Sequence, residues 1–515
     1  MQSFIEKHRD KIVGVLSCFD RLIFKGHLPF SYPAAFEAFL DHRGILSKRS
    51  DEFVKRHSQG LKAHAEKLAR QAGRPYVYLE RFTKKDELAR QIMRRDNVPS
   101  GLVCVLAARE TCRSFALRYG EGKPRLKAAD RQFLVLYFYF IDRDFGFMPV
   151  RLETWFPLTI QVYVNGHEWL ARKMDRHRLG YRRLDNAFLS LDDPARAQRF
   201  ADAMLNTKWP RVLDAFARRV NPLLSDKLLQ GFSYYGVTDQ AEYSTDVIFR
   251  DRASLEGLYS KLLRHATLGL SAEDVLTFLG RKLNGHFQGE VLNDCKKRLT
   301  GARVKHRVKR NWIKMYDKFG VVLRIETVIN CPREFRVRRR AKRNGEVVLG
   351  WFPMLKRVAF LDRYQSVSLA ANRRYLEALS AVEDPSAAYE LLDELCEPVT
   401  FRGRRRRGLH PIRRNDLALF AAVLRGEHAI YGFRNRDIVA QLAPTSSRDP
   451  ALAKKCGARV SRLLQLLRAH ALIAKIPRSR RYRLTPRGLQ LMGAAIWLRR
   501  EEFPDLAQRV RAQAS

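Results

Sequence analysis

Lysine and arginine outnumber aspartate and glutamate by 97 to 54, which leaves a formal net charge of +43. Self-repulsion on that scale points to a polyanion that neutralises it, and the alternative reading is a ribosome-associated or merely sticky basic protein. Material for ordinary cores is present, because hydrophobic residues fill 46% of the 515 positions, so disorder is not the default reading. A chain this long exceeds one core and points to about three domains. Arginine dominates several basic clusters, and its planar fork suits phosphate better than a lysine point charge. The basic residues are not gathered on one amphipathic helix, which argues against a membrane as partner.

Met1 to Asp10 mixes acidic and basic residues around no apolar stretch, so it does not read as a signal peptide. The longest apolar run, Phe133 to Ile141, has nine residues, against the ~20 needed to span a bilayer. Seven scattered cysteines (18, 104, 112, 295, 331, 396 and 456) form no CxxC pair, so neither a disulfide framework nor a structural zinc site is expected. The expected location is a reducing cytoplasm, in association with the nucleoid.

The hydrophobic patterning predicts an α+β protein with a mixed or antiparallel sheet carrying helices. Residues 1–125 read as an α/β region, with a strand over Val13–Phe24, a helix over Ser50–Gln71 and a buried strand over Gly101–Ala107. Residues 126–345 read as a second α+β domain. In it Phe133–Ile141 and Val150–Phe156 form a hairpin, and Thr159–Val164 ends in the turn pair Asn165-Gly166. A helix follows over Glu168–Arg178, then a strand over Tyr181–Leu191, helices over 195–219 and 253–298, and a last strand over Val321–Ile329. Residues 346–414 read as a helical segment and a linker, extended by its own charge or lying along phosphates: Arg402, Arg404, Arg405, Arg406, Arg407, Arg413 and Arg414 fall within fourteen positions.

The region 415–505 carries the most specific pattern. Asn415 and Asn435 are placed to cap helices over Asp416–Arg425 and Arg436–Leu442. A third helix, Gly457–His470, has its apolar stripe at 460, 463, 464 and 467, which leaves Arg459, Arg462, Gln465 and Arg468 facing outward. A short hairpin follows, with Arg478, Arg480 and Arg481 at its tip, and Thr485-Pro486-Arg487-Gly488 opens a final helix. Leu472, Ile473, Arg481, Tyr482, Leu484, Thr485 and Gly488 resemble the phrase that marks the last helix turn, wing and exit of MarR-type winged helices. That resemblance implies duplex DNA as a partner, with the third helix in the major groove and the wing arginines on backbone or minor groove.

Chemistry is expected between about 130 and 345. Lys314-Met315-Tyr316-Asp317-Lys318 is followed by Leu323-Arg324-Ile325-Glu326, where Arg324 and Glu326 share one strand face. A phenol can attack phosphorus, a carboxylate can hold a metal, and Lys or Arg can neutralise developing charge. An exposed strand with a simple ion pair is the alternative reading of the same residues. Residues 301–343 hold 15 Lys+Arg against Asp317, Glu326 and Glu334, with Trp312 and Phe335 interleaved as in surfaces that stack bases.

The phrase Tyr316-Asp317-Lys318 with Arg324-x-Glu326 resembles rolling-circle replication initiators of the plasmid trans-acting and phage replication-initiation-factor type. Ile160–Gly166 with its helix, and Arg183-Leu184-Asp185 with Leu189, Asp192 and Asp193, match two upstream phrases in the same order. A helical insertion of roughly 120 residues separates the second and third phrases. The resemblance implies an RRM-like palm that nicks DNA by tyrosine transesterification. Tyr316 would be nucleophile, with Tyr243 in reserve and Lys318 and Arg324 assisting. Mg²⁺ or Mn²⁺ would rest on Asp185, Glu326 and Asp317. Single-stranded DNA would be the middle domain's partner, and a homodimer is a further expectation. Two rival readings stand beside it. One is a non-catalytic DNA-binding regulator. The other is an RNase H-like transposase using Asp20, Asp142, Asp144 and Glu153.

Overall fold

The computed structural model describes the chain apart from residues 81–82, 120–123, 282–290, 299–300, 381–391, 412, 426–427, 429–431, 444–449, 478 and 498–515. After a short first helix, α1 (Gln2–Lys7), strand β1 (Ile12–His27) runs through the middle of an eleven-stranded sheet. On one side of β1 lie β6 (Ile160–Asn165), β5 (Gly146–Glu153), β4 (Arg125–Asp142), β3 (Gly101–Arg118) and β2 (Tyr76–Leu79). On the other lie β9 (Tyr235–Phe249), β13 (Val322–Ile329), β12 (Asn311–Lys318), β11 (Gly301–Val308) and β10 (Val291–Arg298). Neighbours are antiparallel except β2 and β3. The α+β class expected from the patterning is therefore the class observed.

Helices α2 (Pro33–His42), α3 (Ser50–Gln71) and α7 (Trp209–Val220) bury Phe36, Phe39, Leu61 and Phe216 in one core with Leu136, Phe138 and Phe140 of β4. Helices α8 (Arg252–Arg264), α9 (Ala272–Phe278) and α10 (Leu361–Leu379) join the same core, α10 through Tyr364, Tyr375 and Leu376. On the opposite face, α4 (Lys85–Arg95) covers Val103 and Tyr139 at one end. Helices α5 (Gly166–Arg176) and α6 (Pro194–Asp202), with the hairpin β7 (Tyr181–Leu184) and β8 (Ala187–Leu191), cover Leu16 and Cys18 of β1.

Several expected boundaries give way. β1 pairs with β6 and β9, so position 125 falls inside a continuous sheet. Position 345 falls in the turn of the hairpin β14 (Arg336–Arg343) and β15 (Glu346–Pro353), two strands beyond the one expected to be last. The segment 181–191 is a hairpin, turned by Asp185 at φ 51°. The supposed helical insertion contains β9, which precedes the helices expected over 253–298, and then β10 and β11, because those helices end at Phe278. The sheet is also far larger than the four-stranded RRM palm.

A second core gathers Leu395, Leu409, Phe420, Ile438, Leu464, Leu472 and Met492. Helices α11 (Arg414–Val423), α12 (Asn435–Leu442) and α13 (Pro450–Ala469) are followed by hairpin β18 (Ile473–Lys475) and β19 (Tyr482–Leu484) and by α14 (Pro486–Trp497), the order of a winged helix. The arginine run is no free linker. It folds as the hairpin β16 (Val399–Phe401) and β17 (Arg404–Arg406), and Arg407 pairs with Asp416 at 2.6 Å. Neither expected asparagine caps its helix. Arg413 and Arg434 hold the cap positions, and Asn435 instead donates to Gly457 O and Ser461 Oγ of α13.

The entry to α5 is packed tightly against β1. Asn165 caps the helix by accepting from Glu168 N at 3.0 Å, and a Cβ added at Gly166 would lie 1.9 Å from Phe19 O of β1. Gly166→Ala is therefore expected to cost at least the ~1–3 kcal/mol of an overpacked core, seen as a lower thermal midpoint. An unchanged midpoint would show that α5 and β1 can part freely.

Candidate functional site

Antiparallel register places Tyr316, Arg324 and Asp246 in one cross-strand row, and Lys314, Glu326 and Ser244 in the next. Arg324 and Glu326 point to the same face, as two-residue spacing on a strand requires. Arg324 is wholly buried. Its Nε and Nη2 donate to the two carboxylate oxygens of Asp246, each at 2.6 Å, and Nη2 also donates to Asn186 O at 2.7 Å. Nη1 lies 3.4 Å from Asp20 Oδ1. The buried ring of His167 fits between them, 2.9 Å from Arg324 Nη2 and 2.9 Å from Asp20 Oδ1. Burial alone would raise the Asp20 and Asp246 carboxyls. Asp20's bond to His167 and the charge of Arg324, and for Asp246 the charge of Arg324 and its bond to His167, hold both below the usual carboxylate range. Arg324 is thus a structural post between strands, not the substrate-facing cation expected from the sequence.

One row further, Glu326 accepts hydrogen bonds from Tyr316 Oη and, at 2.6 Å, from Lys314 Nζ. Asp20, Glu242 and Glu326 come from β1, β9 and β13, and each offers an oxygen within 4.8 Å of the other two. All three are buried. Burial and the adjacent Glu326 push the Glu242 carboxyl up to about 8, so a proton now relieves crowding that a divalent cation would also relieve. The donor set is oxygen only, as Mg²⁺ and Mn²⁺ prefer. Burial, then Glu326, holds the Tyr316 phenol well above its ordinary value, so it stands protonated as a donor.

The proton on Glu242 links stability to pH. Folded Glu242 keeps a proton that the unfolded chain releases near 4.5, so this contribution is greatest in acid and falls as pH rises from about 4.5 to about 8. Glu242→Gln should flatten that fall, raising the thermal midpoint relative to wild type more at pH 8 than in mild acid. Equal effects at both would place the proton elsewhere.

A cavity of about 470 Å³ opens beside Asp20 and Asn186 and runs along β6, β5 and β4. Tyr137, Tyr139, Phe147 and Tyr163 line it together with Arg21 and Arg90. Arg90 lies 4.4 Å over the Phe147 ring, and Lys85 4.7 Å over that of Tyr137.

Other expected residues fall outside the cluster. Asp185 sits in the exposed β7–β8 turn, 3.6 Å from Lys318. Asp317 points away from Tyr316 and accepts from Gly320 N at 2.8 Å, closing the β12–β13 turn. Lys318 donates to Asn186 Oδ1 at 2.5 Å, at the edge of the Arg324 network. Tyr243 is buried on the opposite sheet face, where Asn372 of α10 donates to its carbonyl, so it cannot stand in for Tyr316. Asp142, Asp144 and Glu153 do not join Asp20. Asp142 accepts from the turn amide of Asp144, Asp144 pairs with Arg176, and Glu153 pairs with Arg151 at 2.7 Å. Trp312 lies half-buried under Lys305, whereas Phe335 is buried and is no stacking surface.

His167, which opens a helix and has no second histidine four residues on, and Glu242 and Asp246, which flank Tyr243, are not among the candidates read from the sequence. Glu242-x-Ser244-x-Asp246 alternates polar residues along one face of β9, a signal obscured by Tyr243 between them.

In the second core, Arg405, Arg459, Arg462 and Arg480 are exposed, and Arg481 is half-buried. Arg406 donates to Gln465 Oε1 at 3.2 Å and Arg468 lies 5.7 Å over the Phe401 ring, so these two tie the β16–β17 hairpin to α13. Arg478 lies outside the described residues. Among the described residues, no helix is long and apolar enough to cross a membrane, and all seven cysteines are free.

No protein-family model matches the chain, and no curated protein matches it. Among solved structures, an aspartate kinase from Synechocystis aligns at 8% identity with a TM-score of 0.12, covering 72% of this chain and 56% of its own. The chain therefore spans little more than half the length of that protein, and a likeness this low carries no argument about fold or activity.

Proposed function

We propose that this chain is a mobile-element or plasmid-type initiator that cleaves a DNA strand at the Asp20–Glu242–Glu326 cluster. The observation that carries the reading is the convergence of three buried carboxylates from three strands beside a phenol, in a chain of net charge +43. A surface selected only to grip phosphate gains nothing from such a cluster. The neighbouring cavity supports the same reading, because aromatic rings interleaved with arginines suit unstacked bases of a single strand. The winged-helix region, with Arg459, Arg462 and Arg480 exposed, supplies a means to locate a duplex site.

Mg²⁺ or Mn²⁺ held by the three carboxylates would polarise the scissile phosphate and favour the phenolate. Glu326 is placed to accept the phenol proton as Tyr316 Oη attacks phosphorus. The phosphorus–O3′ bond then breaks, which leaves a 5′-phosphotyrosine, and the departing oxygen takes a solvent proton to become a 3′-hydroxyl. Arg324 acts by fixing β13 against β9 and β1, so it is a positioning residue.

The test is incubation of 3′-labelled single-stranded DNA from the protein's genomic neighbourhood with Mn²⁺, comparing wild type and Tyr316→Phe on a denaturing gel. The expected result is a protein-linked band that the substitution abolishes. Cleavage without a linked band would assign hydrolysis to the cluster, as in a carboxylate-metal nuclease. Salt-sensitive binding with no cleavage would favour a non-catalytic regulator. In that case Lys314 and Arg324 simply balance the carboxylates.

A further inference from the structure

Residues 336–353 form a two-stranded ribbon separate from the main sheet. Its root is fixed, since Phe335, Val337 and Met354 are buried in the first core and Met354 N donates to Phe335 O at 2.8 Å. Its tip is the turn pair Asn344-Gly345, with φ of 52° and 88°, the positive values that a tight hairpin turn requires. Between root and tip the register pairs Arg338 with Trp351, Arg340 with Leu349 and Lys342 with Val347 on one face. Arg339 and Arg343 lie on the other face.

The apolar members of the first face are out in solvent: Val347 is 63% exposed, Leu349 56% and Trp351 65%. Six cations stand on β14 against Glu346 as the one acid on β15. Arg336 and Arg339 are braced against the ribbon by donating to Trp351 O and Pro353 O, each at 2.8 Å. Among the described residues, Arg338, Arg340, Lys342 and Arg343 have no acidic partner.

We propose that this ribbon is a second nucleic-acid-binding element, one that enters a groove of duplex DNA. Cations on both faces fit a partner with two phosphate walls, which is what a groove presents. A flat anionic surface would be met from one face only. The major groove, about 12 Å wide, admits a two-stranded ribbon. Inside it the row Val347–Leu349–Trp351 meets base edges and thymine methyls, which accounts for apolar side chains standing beside cations in solvent. Arginine in place of lysine at most positions suits bidentate grip on phosphate.

The experiment measures binding of the full chain to a fluorescent duplex by anisotropy, without metal, over a range of salt. It therefore stands or falls separately from strand cleavage. The triple variant Arg338→Gln, Arg340→Gln, Lys342→Gln should lower the slope of log affinity against log salt by about 3, one for each phosphate no longer neutralised. Trp351→Ala should weaken duplex binding about tenfold, the scale of one base-edge interaction, and leave the slope unchanged. The variant Arg338→Lys, Arg340→Lys should retain the wild-type slope, which shows that charge is being read. Thermal midpoints should match wild type, because the substituted side chains lie outside the core. An unchanged slope and affinity in the triple variant would overturn the proposal. So would an equal loss on single-stranded DNA, or loss confined to phosphatidylglycerol vesicles, which would assign the ribbon to a membrane surface. A change from dimer to monomer on sedimentation, with duplex affinity intact, would assign it to a second copy of the chain.

Discussion

Arg324→Ala should strip the main domain of much of its stability. The substitution leaves buried Asp246 without its bidentate partner and takes from Asp20 one of the cations that hold it charged. Breaking a buried charge pair from one side costs about 3–5 kcal/mol, and the cavity left by the side chain adds to that. Whole domains are stable by only ~5–15 kcal/mol, so a sharp fall in soluble yield and in the denaturation midpoint is expected. Arg324→Lys should recover part of the loss, because lysine restores charge without the planar fork. The pH dependence has a definite sign. Asp20 and Asp246 are held below the usual carboxylate range, so the stability they draw from Arg324 is present at neutral pH and lost only in strong acid. The gap between wild type and variant should therefore narrow as pH falls. A variant of wild-type stability would show that the network does not hold the strands together.

Glu326→Gln should behave in the opposite way, losing activity while keeping the fold. Glutamine is the same size and can still accept from Tyr316, and it removes the like charge that crowds Glu242. Stability should hold or rise. Metal-dependent strand cleavage should fall about 10³-fold, the scale of losing a base that takes the nucleophile's proton, before any loss of metal is counted. This split separates a working site from a structural one. If the carboxylates served only to balance Lys314 and Arg324, Glu326→Gln would destabilise the sheet and leave nothing else to measure.

The contrast between these two residues also shows what could be read from the chain. Strict alternation in Leu323-Arg324-Ile325-Glu326 put both side chains on one face, and that was correct. Nothing local distinguishes an arginine that meets substrate from one that locks strands, because the difference lies in Asp246 and Asp20, 78 and 304 positions away. The α+β class was legible because α3 carries a helical periodicity and β4 a continuous apolar run of strand-forming residues, Phe133–Ile141. The extent of the sheet was not, since β1 joins halves of the chain through pairings with β6 and β9 that no short window contains. Charge density misled at 401–407, where repulsion suggested an extended linker and a turn at Arg402-Gly403 instead folds the arginines into a hairpin. Asp317 adjoins Tyr316 in the motif and Asp185 closes the upstream phrase Arg183-Leu184-Asp185, yet both serve turns. Asp20 and Glu242, distant in sequence, complete the cluster.

The proposed activity requires Asp20, Glu242 and Glu326 together to hold a divalent cation. Its most direct test is titration of Mn²⁺ into the full chain, with free metal followed by its electron paramagnetic resonance signal. Wild type should take up one tightly held Mn²⁺ per chain, and Glu242→Gln and Glu326→Gln, shown to be folded, should each lose that uptake. Wild type that binds no Mn²⁺, or variants that bind it equally well, would contradict the claim.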